Sequence, residues 1–322
     1  MNAPDTQLVT IIGGSGFVGT QLVQLLARRG FRIRVGVRRP DLAGHVRPLG
    51  TVGQIQPVQV NVRNFDSVAR AVEGAHVVVN LAGISHERGR QRFEAVHGLG
   101  AANVARAAAD AGVGHFVHVS ALGADANSKS RYFASKARGD AQVLNIFPKA
   151  VIMRPSIVFG PDDRFFNLLG TLARLFPVSP VIGGSSRFQP VYVGDVAAAL
   201  ALAAQGSVRA GKIYEIGGPD IETMRELMER VSRVSNRNNV LVNVPIPLAK
   251  FKAWFIQILP NPWFTVDRID QYGEDCVVSE AARSDKRTLE NIGITPQSMD
   301  AILPTYMWRF RKNGQFEQVQ SH

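Results

Sequence analysis

The sequence predicts an α/β fold, a doubly wound parallel sheet followed by a smaller C-terminal α/β lobe. Three observations predict it. Short β-rich runs alternate with helical segments from residue 8 onward, a glycine-punctuated turn joins the first run to the first helix, and 45% hydrophobic content over 322 residues suffices for one large core and a lesser one.

The elements follow in order. LVTII from residue 8 is a first strand, and residues 17–29 form a helix that Gly30 closes in the left-handed region, with Arg28 and Arg29 at its negative dipole end. FRIRVGV alternates apolar Phe31, Ile33, Val35 and Val37 with Arg32, Arg34 and Gly36, so one face of that strand is expected to be poorly covered. IQPVQVNV is a third strand, a helix lies near 66–73, and HVVVNLAG is a fourth strand. A long Ala-rich helix spans 92–111, then come strand HFVHVSA, a helix carrying Tyr132, and strand AVIMRPS. Beyond residue 160 the order loosens into helices near 164–175 and from 221, a strand at VLVNVPI, and amphipathic helices at 247–259 and 298–311. The expected division is residues 1–160 with returning elements near 190–217, and residues 161–322 as the second lobe and tail.

Composition narrows the function. Cys276 is the single cysteine, which excludes intramolecular disulfides and a tetrahedral thiolate metal site; no metal is expected. MNAPDTQ shows neither a secretory nor a transit pattern, and the most apolar stretches fall short of the roughly 20 residues that span a bilayer. Of the net charge of +11, +10 falls in the first 220 residues. That excess reads either as solvated surface or as attraction to phosphates, an acidic partner or an anionic membrane. The arginines are scattered and no nucleic-acid signature accompanies them, so no nucleic acid is expected.

The strongest motif is GGSGFVG at 13–19, between a strand and a helix. Gly13, Gly16 and Gly19 supply a sharp turn, a close approach to pyrophosphate and tight helix–strand packing, while Ser15, Phe17 and Val18 surround the helix N-terminus whose N–H groups favour anions. A tight structural turn is the plainer alternative. An NAD site would place a carboxylate at the end of the second strand, but VGVRRP puts Arg38 and Arg39 there. Guanidinium pairs with a 2′-phosphate that a carboxylate would repel, so NADP(H) is preferred over NAD(H); two surface arginines are the alternative. Asn61 and Val62 end the third strand where an adenine edge would lie, and Leu81, Ala82 and Gly83 end the fourth.

Ser120 ends the fifth strand, and Tyr132 and Lys136 sit four apart on one helical face. A phenol beside an ammonium works as acid or base nearer neutrality, and a serine hydroxyl polarises a carbonyl. The same residues also serve a protein that only holds its cofactor.

These motifs, together with RPSIVFGP at 154–161 and FQPVYVGDVAAAL at 188–200, resemble the extended or atypical short-chain dehydrogenase/reductase family. The resemblance implies a Rossmann domain, Pro155, Ile157 and Val158 near the nicotinamide, and Lys136 on its ribose. RYFASKARGD, FPKAVIMRPSIVFGPDDRFFN and GITPQSMDAILPTYMWRFR further resemble the NAD(P)H-binding accessory subunits of respiratory complex I. That implies other complex I subunits as partners, a mainly structural nucleotide, and a peripheral place on the hydrophilic arm, at the cytoplasmic face of a bacterial inner membrane. The alternative is a soluble NADPH-dependent reductase or nucleotide-sugar epimerase. Residues 248–264, rich in Trp and Phe with Lys250 and Lys252, are either docking surface or core of the second lobe.

Overall fold

The structure, a computed structural model, describes residues 7–256 and 265–316. Its chain divides into two units. The first comprises Met1–Pro155, Val193–Ile216 and Ser279–Ile294; the second comprises Ser156–Tyr192, Gly217–Val278 and Thr295–His322. The crossing falls at 155 rather than 160, and the return of residues 279–294 carries no signal in the sequence.

The first unit runs β1 (Leu8–Ile12), α1 (Phe17–Arg28), β2 (Arg32–Val37), β3 (Ile55–Gln59), α2 (Phe65–Val72), β4 (Val77–Asn80), α3 (Leu99–Asp110), β5 (His115–Val119), α4 (Arg131–Ile146) and β6 (Val151–Pro155). After the excursion of the second unit it resumes with α5 (Val193–Ala204) and β7 (Ile213–Ile216). The sheet order is β7-β6-β5-β4-β1-β2-β3, and every pairing is parallel. This is a Rossmann-type sheet. Its strand order reverses between β1 and β4, and the crevice outside the carboxyl ends of those strands is where such sheets take ligands.

Burial on both faces explains the apolar runs. Val77, Val78 and Val79 of β4 are all buried, as are Val9, Ile11 and Ile12 of β1. One side is filled by Val68, Val72, Val104, Ala105, Ala108 and Phe116. Gly30 closes α1 at φ +84° as its position suggests. The expectation of an uncovered face on β2 needs correction: Arg32 is exposed, but Arg34 donates through Nη1 to the carbonyls of Ala71 (2.6 Å) and Glu73 (2.9 Å), so its charge caps the C-terminus of α2. The Ala-rich helix expected at 92–111 is present but not regular. It opens with a π-helical turn, Glu94–Gly98, before α3.

Neither edge of this sheet presents an unbroken row of backbone donors. On β3, Val60 donates to Val37 of β2, so the alternating position Pro57 turns outward, where it offers no N–H. On β7, the outward N–H of Glu215 reaches the carbonyl of Arg287 at 3.0 Å, and Arg287 Nη1 returns to the carbonyl of Ile213.

The second unit contains helices Phe165–Leu175, Met224–Val234, Ile246–Ile256, Val266–Tyr272 and Met299–Met307, with three two-stranded pairings. Its capping is explicit. Thr223 and Glu226 form a reciprocal capping box. Buried Asp163 accepts from the N–H groups of Phe166 and Asn167, while the Tyr306 hydroxyl donates to its other oxygen at 2.7 Å. The C-terminal motif thus ties its helix to the start of helix Phe165–Leu175. In helix Ile246–Ile256, Ala249 and Ala253 pack with Ile269, while Leu248, Phe251 and Trp254 are exposed. The rest of the aromatic segment, residues 257–264, lies outside the described residues, as do residues 317–322 of the tail.

Candidate nucleotide site

The glycine loop has the geometry its spacing implies. Gly13 sits at φ +84° and donates to the Gly36 carbonyl at 2.7 Å, and a Cβ on it would come within 3.1 Å of the Leu81 backbone. A Cβ on Gly19 would lie 2.6 Å from the Gly13 carbonyl and the Gly14 Cα, closer than atoms pack. Gly16 differs: it is exposed and meets only the Gly13 carbonyl, so the space before it is open to a ligand. Phe17 and Val18 begin α1 there, and no acidic residue lies in the first turn. Their N–H groups precede the first intrahelical bond, Thr20 to Gly16, and remain available to an anion. The Ser15 carbonyl lies 3.3 Å from His45 Nε2.

Around this loop stand the other strand ends. Leu81 continues β4 by donating to the Ile12 carbonyl, and the Ala82 N–H is held by the Asn80 side chain at 3.1 Å. Gly83 is exposed. Val62 packs against Gly100 of α3, and the Asn61 side chain accepts from the Arg63 backbone. Arg38 and Arg39 are both exposed beyond β2. Arg39 is paired with Asp41 at 2.8 Å, whereas Arg38 has no ion pair among the described residues.

Tyr132 and Lys136 do project together from α4, with the Lys136 ammonium 6.0 Å from the phenol ring centroid. Lys136 is buried and donates to the Val119 carbonyl at 3.0 Å. Burial pushes its pKa down to about 8, with Asp140 pulling weakly the other way. Ser120 is also buried, but its hydroxyl donates to Asp140 Oδ2 at 2.9 Å. Pro155 ends β6, accepting from the Leu122 N–H, whereas Ile157 and Val158 belong to the second unit, where they pair with Val191.

Several residues of this neighbourhood had no signal in the sequence. Asp140 Oδ2 also receives Arg154, at 2.9 Å from Nε and 2.8 Å from Nη2. Its Oδ1 lies 3.7 Å from His118 Nε2, and neither atom has a hydrogen-bond partner among the described residues. Because the Asn80 carbonyl oxygen is taken by Ala82, its amide donates to His118 Nδ1 at 3.1 Å, which leaves the imidazole proton on Nε2, directed at Asp140. Burial and the nearby Lys136 hold the His118 pKa down at about 3.

The Lys136 ammonium gives a pH dependence of stability. Between about 8 in the fold and the ordinary lysine value of 10.5 the unfolded chain binds more protons than the folded one, so this lysine's contribution to stability rises with pH across that window. Comparing urea unfolding of the parent with Lys136→Met at neutral and at alkaline pH should show the parent gaining on the order of 3 kcal/mol relative to the variant. A gap independent of pH would mean that the amine titrates alike in the folded and unfolded chains, unshifted by its burial.

Residues 9–217 match the profile of the NAD dependent epimerase/dehydratase family. The chain belongs to that family. The mitochondrial NADH dehydrogenase (ubiquinone) 1 alpha subcomplex subunit 9 of Arabidopsis thaliana is 34% identical over 95% of this chain and 79% of its own length. The mitochondrial 40 kDa subunit of NADH-ubiquinone oxidoreductase from Neurospora crassa is 31% identical over 96% and 80%. The resemblance to complex I subunits read from the sequence is borne out. A ceramide reductase of Caulobacter vibrioides is 33% identical over 74% of each chain. Among solved structures, the dTDP-glucose 4,6-dehydratase of Streptomyces venezuelae superposes with a TM-score of 0.71 at 22% identity, covering 98% of this chain and all of the other. It shares the fold of this family. The open Gly16 cradle and crowded Gly13 and Gly19 fit the nucleotide cofactor for which the family is named.

Proposed function

We propose that this chain is an accessory subunit of respiratory complex I that holds NADP(H) as a structural element and does not turn it over. The observation that carries this reading is similarity to complex I subunits along nearly the whole chain, second unit included. The commitment of the Ser120 hydroxyl to Asp140 supports the absence of turnover, since a carbonyl-polarising hydroxyl must point its proton at substrate. In this reading Gly13, Ser15, Gly16, Phe17, Val18 and Gly19 take the pyrophosphate, Arg38 and Arg39 the 2′-phosphate, and Asn61 and Val62 the adenine. Leu81, Ala82, Gly83 and Pro155 line the nicotinamide half, with Tyr132 and Lys136 on the ribose.

The subunit sits peripherally on the hydrophilic arm, on the cytoplasmic face of a bacterial membrane or the matrix face of a mitochondrial one. No helix of the described residues is long and apolar enough to cross a membrane. The exposed Leu248, Phe251 and Trp254 supply apolar surface suited to another subunit or to the lipid interface.

A second reading, a soluble NADPH-dependent reductase, is favoured by the similarity to ceramide reductase and by the intact Tyr132 and Lys136 pair. Purification in mild detergent separates the two. Co-migration with complex I and one non-exchanging NADPH per chain support the first; a monodisperse protein oxidising NADPH with a carbonyl substrate supports the second. Tyr132→Phe should leave assembly into the complex intact, and collapse of assembly would show that the hydroxyl is indispensable.

A further inference from the structure

His97 lies where three unusual features of the first unit meet. The π-helical turn Glu94–Gly98 carries it, and such turns displace side chains from regular helical register, often at functional sites. Gly139 of α4 packs directly on its backbone, where a Cβ would overlap the His97 carbonyl. Its ring stacks on Phe93 at 5.6 Å and meets the Tyr132 ring edge-on at 5.3 Å, with only 1% of the residue exposed.

Both ring nitrogens are engaged, and the network fixes which of them carries the proton. The Ser135 hydroxyl donates to the Tyr132 carbonyl at 2.7 Å. Its oxygen therefore faces His97 Nδ1, 2.9 Å away, as an acceptor, and Nδ1 must be the protonated nitrogen. Nε2 is left with its lone pair, and it accepts the Ile84 N–H at 3.0 Å. The imidazole thus bridges the residue after Gly83, on the crevice loop, to the residue before Lys136, on α4. A Cβ on Gly83 would stand 3.6 Å from His97 Nε2 and 3.7 Å from Lys136 Nζ, so loop, imidazole and ammonium share one small space. Burial keeps the imidazole neutral, and a second proton on the ring would also oppose Lys136.

We propose that His97, held as its Nδ1–H tautomer by Ser135, is a positioning residue that locks the Leu81–Ile84 loop to the Tyr132 and Lys136 helix and so sets the grip of the crevice on its nucleotide. It acts through the Ile84 backbone and needs no contact with the cofactor. The inference rests on the nucleotide-holding reading above, but the tautomer is testable without any nucleotide.

The test uses the full chain and NADPH. In the parent, 15N NMR of the histidines at neutral pH should show His97 with Nδ1 protonated and Nε2 bare, and Ser135→Ala should shift the Nδ1 resonance by removing its hydrogen-bond acceptor. His97→Phe keeps a ring against Phe93 and Tyr132 but loses both hydrogen bonds, and it should speed NADPH dissociation by about tenfold or more. His97→Gln, which retains a donor and an acceptor, should recover most of the retention at a melting temperature no higher than that of His97→Phe. If His97→Phe does not fold, Ser135→Ala carries the dissociation measurement. A parent His97 protonated on Nε2 would overturn the proposal. So would dissociation unchanged in His97→Phe or Ser135→Ala, or rates that only follow melting temperature with no rescue by glutamine. If the parent binds neither coenzyme, the nucleotide-holding reading fails, while the tautomer result still stands or falls by itself.

Discussion

Asp140→Ala is expected to cost about 3–5 kcal/mol of unfolding free energy. The carboxylate is 2% exposed and receives Ser120 and two nitrogens of Arg154 on one oxygen. Burial raises its pKa, and Arg154 and Ser120 offset only part of that cost by stabilising the charged form. Removing it strands a guanidinium whose side chain is only 19% exposed, together with a buried hydroxyl. Replacing Asp140 and Arg154 together by leucine and methionine should recover much of the loss, because the Arg154 guanidinium is then no longer left unpaired. Chemical unfolding of the three proteins checks this. A loss below about 1 kcal/mol for Asp140→Ala would mean that water or rearrangement satisfies Arg154.

The second large effect concerns coenzyme choice. Replacing Arg38 and Arg39 by alanine should weaken NADPH binding by roughly 10- to 100-fold, the worth of charge-assisted hydrogen bonds to a phosphate, and leave NADH binding nearly unchanged. Most of the effect should belong to Arg38. Arg39 already spends its charge on Asp41, whereas Arg38 has no such partner among the described residues. Titration calorimetry with both coenzymes on the two single variants decides it. Equal loss of NADPH and NADH would remove the 2′-phosphate assignment, and dominance of Arg39 would show that Asp41 releases it when nucleotide binds.

The sequence announced the sheet through local patterns, because strand, glycine turn and helix each depend on neighbours close in the chain. Gly13, Gly16 and Gly19 could be assigned separate duties from spacing alone, and the structure gives Gly16 an open cradle and Gly19 a crowded one. What could not be read lies in contacts between distant residues. Asn80, His118, Asp140 and Arg154 come from four different elements, and nothing in their spacing joins them. The π-turn was hidden for a related reason: an Ala-rich stretch reads as regular helix, and only the packing of Gly139 against His97 shows the departure. Arg34 misled because a charge in a strand suggests solvent, yet its long side chain reaches the carbonyls at the end of α2.

The treatment of the two outer strands bears on how such a chain enters a large assembly. With Pro57 facing out from one margin and the Arg287 backbone covering the other, neither β3 nor β7 can readily template an incoming strand from a neighbouring polypeptide. Recruitment of the first unit must then proceed through side chains on helices and loops, a mode sensitive to single surface substitutions and indifferent to the backbone of whatever docks.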